Sequence, residues 1–172
     1  MTESAMNKAR PAVGDRRRAV LGFAAFLALV AIASAIGSSV TLPQIDGWYV
    51  GLAKPSFTPP NWVFGPVWTL IYLMMAVAGW LIWHRYGLSE ARVALSLFAV
   101  QLVLNVLWSV LFFGLQRPGA ALVNIVLLWL AILATLATFL RLRSAAGWLL
   151  APYLLWVSYA VALNAAIVHL NP

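Results

Sequence analysis

The sequence predicts an all-α integral membrane protein, a bundle of five transmembrane helices, on three observations. Of its 172 residues, 64% are hydrophobic and only 9% charged, against roughly 25% charged in an ordinary soluble domain. Five apolar stretches each reach the roughly 20 residues that cross a hydrocarbon core, and none contains Asp, Glu, Lys or Arg. The basic residues gather between alternate stretches, as they do around membrane helices.

The spans fall at residues 19–40, 62–83, 93–113, 119–140 and 148–170. Lipid covers the outer face of such a bundle, so one membrane domain needs no large soluble core. Residues 1–18 form a basic N-terminal extension ahead of it. Three of the four connections are short, but residues 41–61, TLPQIDGWYVGLAKPSFTPPN, are too rich in Pro and Gly for a regular span. A connection that long in so short a chain is usually functional, and here it reads as a cap over the bundle.

The net charge of +7 and the pI near 10.6 would raise nucleic acid in a soluble protein. Placement argues for topology instead. Lys8, Arg10, Arg16, Arg17 and Arg18 precede the first span; Arg85, Arg92, Arg141 and Arg143 fall on the same side, leaving Lys54 and Arg117 on the other. Nine against two puts the N-terminus in the cytoplasm and the long loop and C-terminus outside, in the membrane of a bacterial cell.

The first span imitates an export signal, with its preceding arginines and an Ala33-Ser34-Ala35 triplet resembling a cleavage site. Its apolar run continues to Val40, beyond the roughly 7–15 residues of a signal core, so it is read as a span. The chain has no cysteine, which excludes disulfides and thiolate chemistry. An odd number of spans with one Pro-rich loop lacks the two matching halves of inverted-repeat transporters.

Nine tryptophans in this chain invite a functional reading once interfacial anchors are subtracted. Trp62, Trp80, Trp83 and Trp148 lie near span ends, where an indole sits at headgroup level. Trp68, Trp108, Trp129 and Trp156 lie inside spans, and no belt accounts for them. At 1.5 Å per residue, Trp68, Trp108, Asn105 and Asn164 sit roughly 8–12 Å below the outer ends of their spans, and Trp156 about 21 Å down as a floor or lower wall.

Helical phase gathers these residues. Asn61, Gly65, Trp68 and Tyr72 share one face, as do Gln101, Asn105 and Trp108 on the third span and Trp156, Ala160 and Asn164 on the fifth. Stripes of aromatics and amides should face inward. The amides alone are equally explained as interhelical hydrogen-bond glue; together with small residues under a long loop they describe a pocket with flat apolar walls.

Other chemistries find little support. His84 and His169 lie at opposite membrane faces and cannot share a metal, and no ionisable residue sits mid-span as coupled transport usually requires. Neither a buried acid and base pair nor a Gly-rich phosphate loop is evident.

The stretch WYVGLAKPSFTPPNWVFGPVWTLIYLMM at residues 48–75, with QLVLNVLWSVLFF at 101–113 and WLLAPYLLWVSYAVALN at 148–164, resembles the signature of the translocator protein, or TspO/MBR, family. The likeness covers nearly everything after residue 40. It implies a five-helix bundle, often dimeric, whose first loop closes over a pocket that binds porphyrins such as protoporphyrin IX and haem. Ligand positions of the family fall on Tyr49, Pro59, Trp68, Tyr72, Asn105, Trp108, Trp156 and Ala160, with Asn164 added from its shared face. The tryptophans matching those implicated in light-dependent porphyrin breakdown are Trp68 and Trp156.

The resemblance implies no required cofactor and no metal, with porphyrin or haem as ligand, and Lys54 or loop amides are placed to meet the propionates. Residues 161–172, VALNAAIVHLNP, depart from the animal family's cholesterol motif. Small-residue pairs Ala24 with Ala28, Ala31 with Ala35, and Ala131 with Thr135 are candidates for close helix packing in a homodimer. The implied function is a receptor or sensor regulating tetrapyrrole handling. A facilitator of tetrapyrrole passage and a non-catalytic scaffold are the alternatives.

Overall fold

The computed structural model describes residues 13–172; Lys8 and Arg10 of the basic extension lie outside them. Five segments are long and apolar enough to cross a membrane, namely Arg16–Ile45, Asn61–Glu90, Arg92–Gly114, Pro118–Leu142 and Ser144–Leu170. They are built from α1 (Val13–Ile45), α2 (Phe64–Glu90), α3 (Arg92–Ser109) with a π turn at Val110–Gly114, α4 (Pro118–Leu142), the short α5 (Ser144–Trp148) and α6 (Ala151–Leu170).

Helix α1 does not stop at Val40. It runs through the Ala33-Ser34-Ala35 triplet and past Pro43 to Ile45, because a proline so near a helix end removes one hydrogen bond while few turns remain to be disturbed. Its 33 residues extend about 50 Å, well beyond the roughly 30 Å hydrocarbon thickness. The capping segment therefore begins at Asp46, and 3-10 turns at Trp48–Gly51 and Asn61–Val63 give it local order.

The spans also outrun expectation at the other end. Helix α2 continues to Glu90 across a break at Gly87, where φ is +69° and ψ −172°. Only glycine adopts that backbone readily, so the last turn leaves the α2 axis and leads directly into α3. Pro118 opens α4 and Pro152 lies in the first turn of α6, where a missing N–H costs nothing.

Around the bundle the order is α2, α1, α3, α4, α6: α1 packs along α2 and α3, and α4 along α3 and α6. At the basic end the interior is closed. Met75, Ile82, Phe98 and Phe139 are fully buried, Phe98 and Phe139 stack at 6.2 Å, and Gly79 admits the Phe26 ring against the α2 backbone. At the loop end α2 and α6 meet through aromatic side chains, Phe64 to Trp156 at 5.8 Å and Trp68 to Tyr153 at 6.2 Å. Leucines and valines such as Leu29, Leu70, Val103, Leu127 and Leu155 face outward, as lipid requires.

Candidate functional site

The space between the splayed helices is a cavity of about 370 Å³. The 3-10 turn leading into α2 contributes Asn61, and the first turns of α2 contribute Gly65, Trp68 and Tyr72; α3 and its π turn contribute Asn105, Trp108, Phe112 and Phe113; α6 contributes Trp156, Tyr159, Ala160 and Asn164. Tyr49, buried beneath the loop, closes it from above. Eight of the nine positions expected at a ligand site line this space. Pro59 does not: it is half-buried in the loop backbone leading into the turn at Asn61–Val63.

The cavity's floor is a chain of hydrogen bonds. The Tyr72 hydroxyl donates to Asn105 Oδ1 at 2.6 Å, and Asn105 Nδ2 donates to the Tyr153 hydroxyl at 3.0 Å, joining α2, α3 and α6. Nearer the loop, Trp108 Nε1 donates to Asn164 Oδ1 at 3.1 Å while Asn164 Nδ2 donates to the Pro118 carbonyl at 2.9 Å. Both asparagines thus glue helices and line the cavity, so the two readings of the amides are complementary. Gln101 does neither. It is buried one turn below Asn105, outside the lining, and both polar atoms of its amide lack a partner among the described residues.

Trp156 is not a floor. Its ring meets Phe64 at the start of α2 and Tyr159 at 5.5 Å, which sets it on the loop side of Trp68. Depth counted from the end of α6 misplaces it, because the helices do not end level: Asn164 already meets the Pro118 carbonyl at the start of α4, and α6 runs on from there to the loop, where Asn171 grips Ala53. Tyr153 takes the lower place, against Trp68 and beneath Asn105.

The loop is fastened down at several points. The Ala53 N–H donates to Asn171 Oδ1 and Asn171 Nδ2 donates to the Ala53 carbonyl, each at 3.0 Å, and the Tyr159 hydroxyl donates to the Phe57 carbonyl at 2.8 Å. Lys54 turns away from the cavity: its Nζ donates to the carbonyls of Val50 and Leu52 and lies 4.6 Å from the Tyr49 ring centroid. It therefore holds the loop together and is not placed to meet a propionate. Burial, and then the neighbouring Tyr159, raises the Tyr49 phenol pKa above its ordinary value of 10.0, so the phenol stays neutral at physiological pH.

One wall was missed from sequence. Ser34, Ser38, Thr41 and Ile45 of α1 line the cavity at the same i, i+4, i+7, i+11 spacing that identified the α2 face. The signal was present, but ending the span at Val40 cut it in half. Phe112 and Phe113 were also missed: Phe112 continues the Gln101, Asn105, Trp108 stripe at i+11, whereas α-helical spacing turns its neighbour Phe113 away. The π turn brings both rings inward, Trp108 to Phe112 at 5.3 Å and Phe112 to Phe113 at 4.9 Å.

The remaining tryptophans divide between surface and seam. Trp62 and Trp148 are exposed, as headgroup anchors would be, and Trp62 also edges the cavity. Trp80 Nε1 instead donates to the Ala19 carbonyl at 3.0 Å, and Trp83 packs on Gly22, both tying α2 to α1. Trp129 Nε1 donates to Ser158 Oγ at 2.7 Å across α4 and α6, away from the cavity.

An apolar five-helix bundle enclosing a lidded aromatic cavity defines a class: multi-pass membrane proteins with a capped internal cavity. Within it the chain belongs to the TspO/MBR family, whose sequence model matches residues 25–170. It is 46% identical over 148 residues to the tryptophan-rich protein TspO of Archaeoglobus fulgidus, covering 86% of this chain and 95% of that one. The tryptophan-rich sensory protein of Cereibacter sphaeroides is 36% identical, with 88% and 94% covered. The human translocator protein is 41% identical over 119 residues, covering 68% of this chain and 70% of its own. Membership supports a role as a membrane sensor or receptor.

Proposed function

We propose that this protein is a receptor for porphyrins, protoporphyrin IX and haem among them, and for flat lipophilic molecules of similar shape, and that it regulates tetrapyrrole handling. The observation carrying this reading is the capped cavity of about 370 Å³ walled by Trp68, Trp108, Trp156, Tyr72 and Tyr49, within the roughly 300–1,000 Å³ of small-molecule sites. Indole and phenol faces suit a conjugated ring. No ionisable acid or base other than tyrosine lines the cavity, so the ring enters and the propionates stay at the mouth near Asn61, where water can solvate them.

Axial ligation of haem has no His or Cys donor among these liners, and metal-free porphyrin binds at least as readily as haem. No metal or cofactor is required. Trp68 and Trp156, each beside a tyrosine at 5.6 and 5.5 Å, are assigned light-dependent porphyrin degradation through electron or radical transfer. Passage across the membrane is disfavoured, since side chains fill the bundle below Tyr153. The same reading places the N-terminus in the cytoplasm and the loop outside a bacterial cell membrane, and pairs two copies as a homodimer.

Titration of purified protein with protoporphyrin IX, followed by tryptophan quenching and then by absorbance under illumination, tests the proposal. Saturable quenching is expected, with bleaching that Trp68→Phe and Trp156→Phe each suppress. Quenching without bleaching leaves a receptor alone; absence of saturable binding overturns the porphyrin reading. A haem preference abolished by His169→Ala would overturn the absence of axial ligation.

A further inference from the structure

A second concavity lies at the opposite end of the bundle, on the outer surface where α1 crosses α2. It is an open groove of about 480 Å³ formed by Arg17, Arg18, Leu21, Gly22 and Ala25 of α1 and Trp83 of α2. We propose that this groove binds one anionic glycerophospholipid, its phosphate on the two guanidinium groups and an acyl chain along the apolar track.

The chemistry changes along the groove as a lipid's does. Arg17, Leu21 and Ala25 recur every four residues on one stripe of α1, so the cationic end and the apolar end are about 12 Å apart along the helix. Exposed Leu29 continues the track one turn further. Among the described residues the groove offers two guanidinium groups and no carboxylate, and guanidinium matches phosphate oxygens in bidentate geometry.

The floor is built by an absence. A Cβ at Gly22 would collide with the Trp83 indole, so only glycine lets that ring lie against the α1 backbone and pave the groove. Arg18 stands 5.5 Å from the Trp83 centroid, a cation-π contact that steadies the guanidinium at the groove's end. The helix ends carrying Arg85, Arg92, Arg141 and Arg143 lie at this end too, so the groove opens at the basic membrane face, where an anionic headgroup is favoured.

Native mass spectrometry of the full chain, equilibrated with phosphatidylglycerol and phosphatidylcholine of matched acyl chains, tests the assignment. One phosphatidylglycerol should remain bound in preference, and Arg17→Gln and Arg18→Gln should each cut that preference by about fivefold, the effect of one cation near an anionic lipid surface. Ala25→Phe, which fills the exposed track and leaves both arginines in place, should also abolish retention. Equal retention of the two lipids overturns the proposal. Retention unchanged in Ala25→Phe reduces the effect to surface charge and overturns it too, and displacement by glycerol 3-phosphate would show that the phosphate alone is recognised, with the same consequence.

Discussion

Asn105 accepts from Tyr72 and donates to Tyr153; Asn105 and Tyr153 are buried and Tyr72 is half-buried on the cavity floor. Removing one partner of a buried hydrogen bond leaves the other to bear its desolvation, about 1–3 kcal/mol. Asn105→Leu should therefore lower the thermal midpoint in detergent by more than Tyr72→Phe, because it orphans two hydroxyls where Tyr72→Phe frees one acceptor. Asn171 acts on the lid instead. Its amide holds both polar groups of Ala53, and Asn171→Ala should raise amide hydrogen exchange across residues 48–58 while leaving the basic end of the bundle protected.

Tyr49 links the lid to pH. Its folded pKa is raised above 10.0 by burial, then by Tyr159, so the closed lid favours the neutral phenol. Stability from this source is complete below pH 10.0 and declines above it, as the open loop's phenol ionises first. Lid exchange measured by a fluorophore on the loop should be flat from neutral pH to about 9 and rise beyond 10, and Tyr49→Phe should reduce that rise, leaving the part that comes from loss of the Tyr159 hydroxyl donor to Phe57.

Among the elements, α2 and the π turn contain backbone that sequence periodicity does not forecast. Gly87 sits at φ +69° with open space around its Cβ position, so the constraint is conformational rather than steric. Gly87→Ala should cost about 1–3 kcal/mol, seen as a lower thermal midpoint with the cavity's ligand affinity preserved, since the break lies at the far end of α2. The face at Asn61, Gly65, Trp68 and Tyr72 was legible because α2 is regular from Phe64 onward and the 3-10 turn at Asn61–Val63 runs straight into it. The α1 face was half-legible, because a proline at position 43 signals a helix end more strongly than a four-residue stripe signals continuation. Phe112 was legible as the next step of the Gln101, Asn105, Trp108 stripe, but Phe113 was not: a π turn adds a residue to the turn and leaves no mark in composition.

For the whole molecule, the absence of native cysteine makes single-cysteine reporters unambiguous. Ser56→Cys on the loop should react with impermeant maleimide from outside intact cells, and Ser144→Cys at the basic end only after permeabilisation; the reverse pattern would invert the proposed orientation. Packing also sorts the candidate dimer surfaces. Thr135 is buried and bonded to the Ala131 carbonyl at 2.7 Å, whereas Ala24, Ala28, Ala31 and Ala35 remain exposed along α1. Ala28→Leu should weaken a homodimer seated on that stripe, measured by single-molecule photobleaching in bilayers.

Composition and the spacing of charges determined by themselves that the chain crosses a membrane five times, because partition into hydrocarbon depends on residue sums over about 20 positions and not on which residues touch. Helical phase likewise determined most of the residues that face inward. Only the tertiary structure decided how those faces meet: that α6 runs past the start of α4 and sets Trp156 beside Phe64, that Lys54 serves the loop, and that α1 supplies a wall. Those outcomes depend on the relative height of helices and on contacts between residues far apart in sequence, quantities that no single segment encodes.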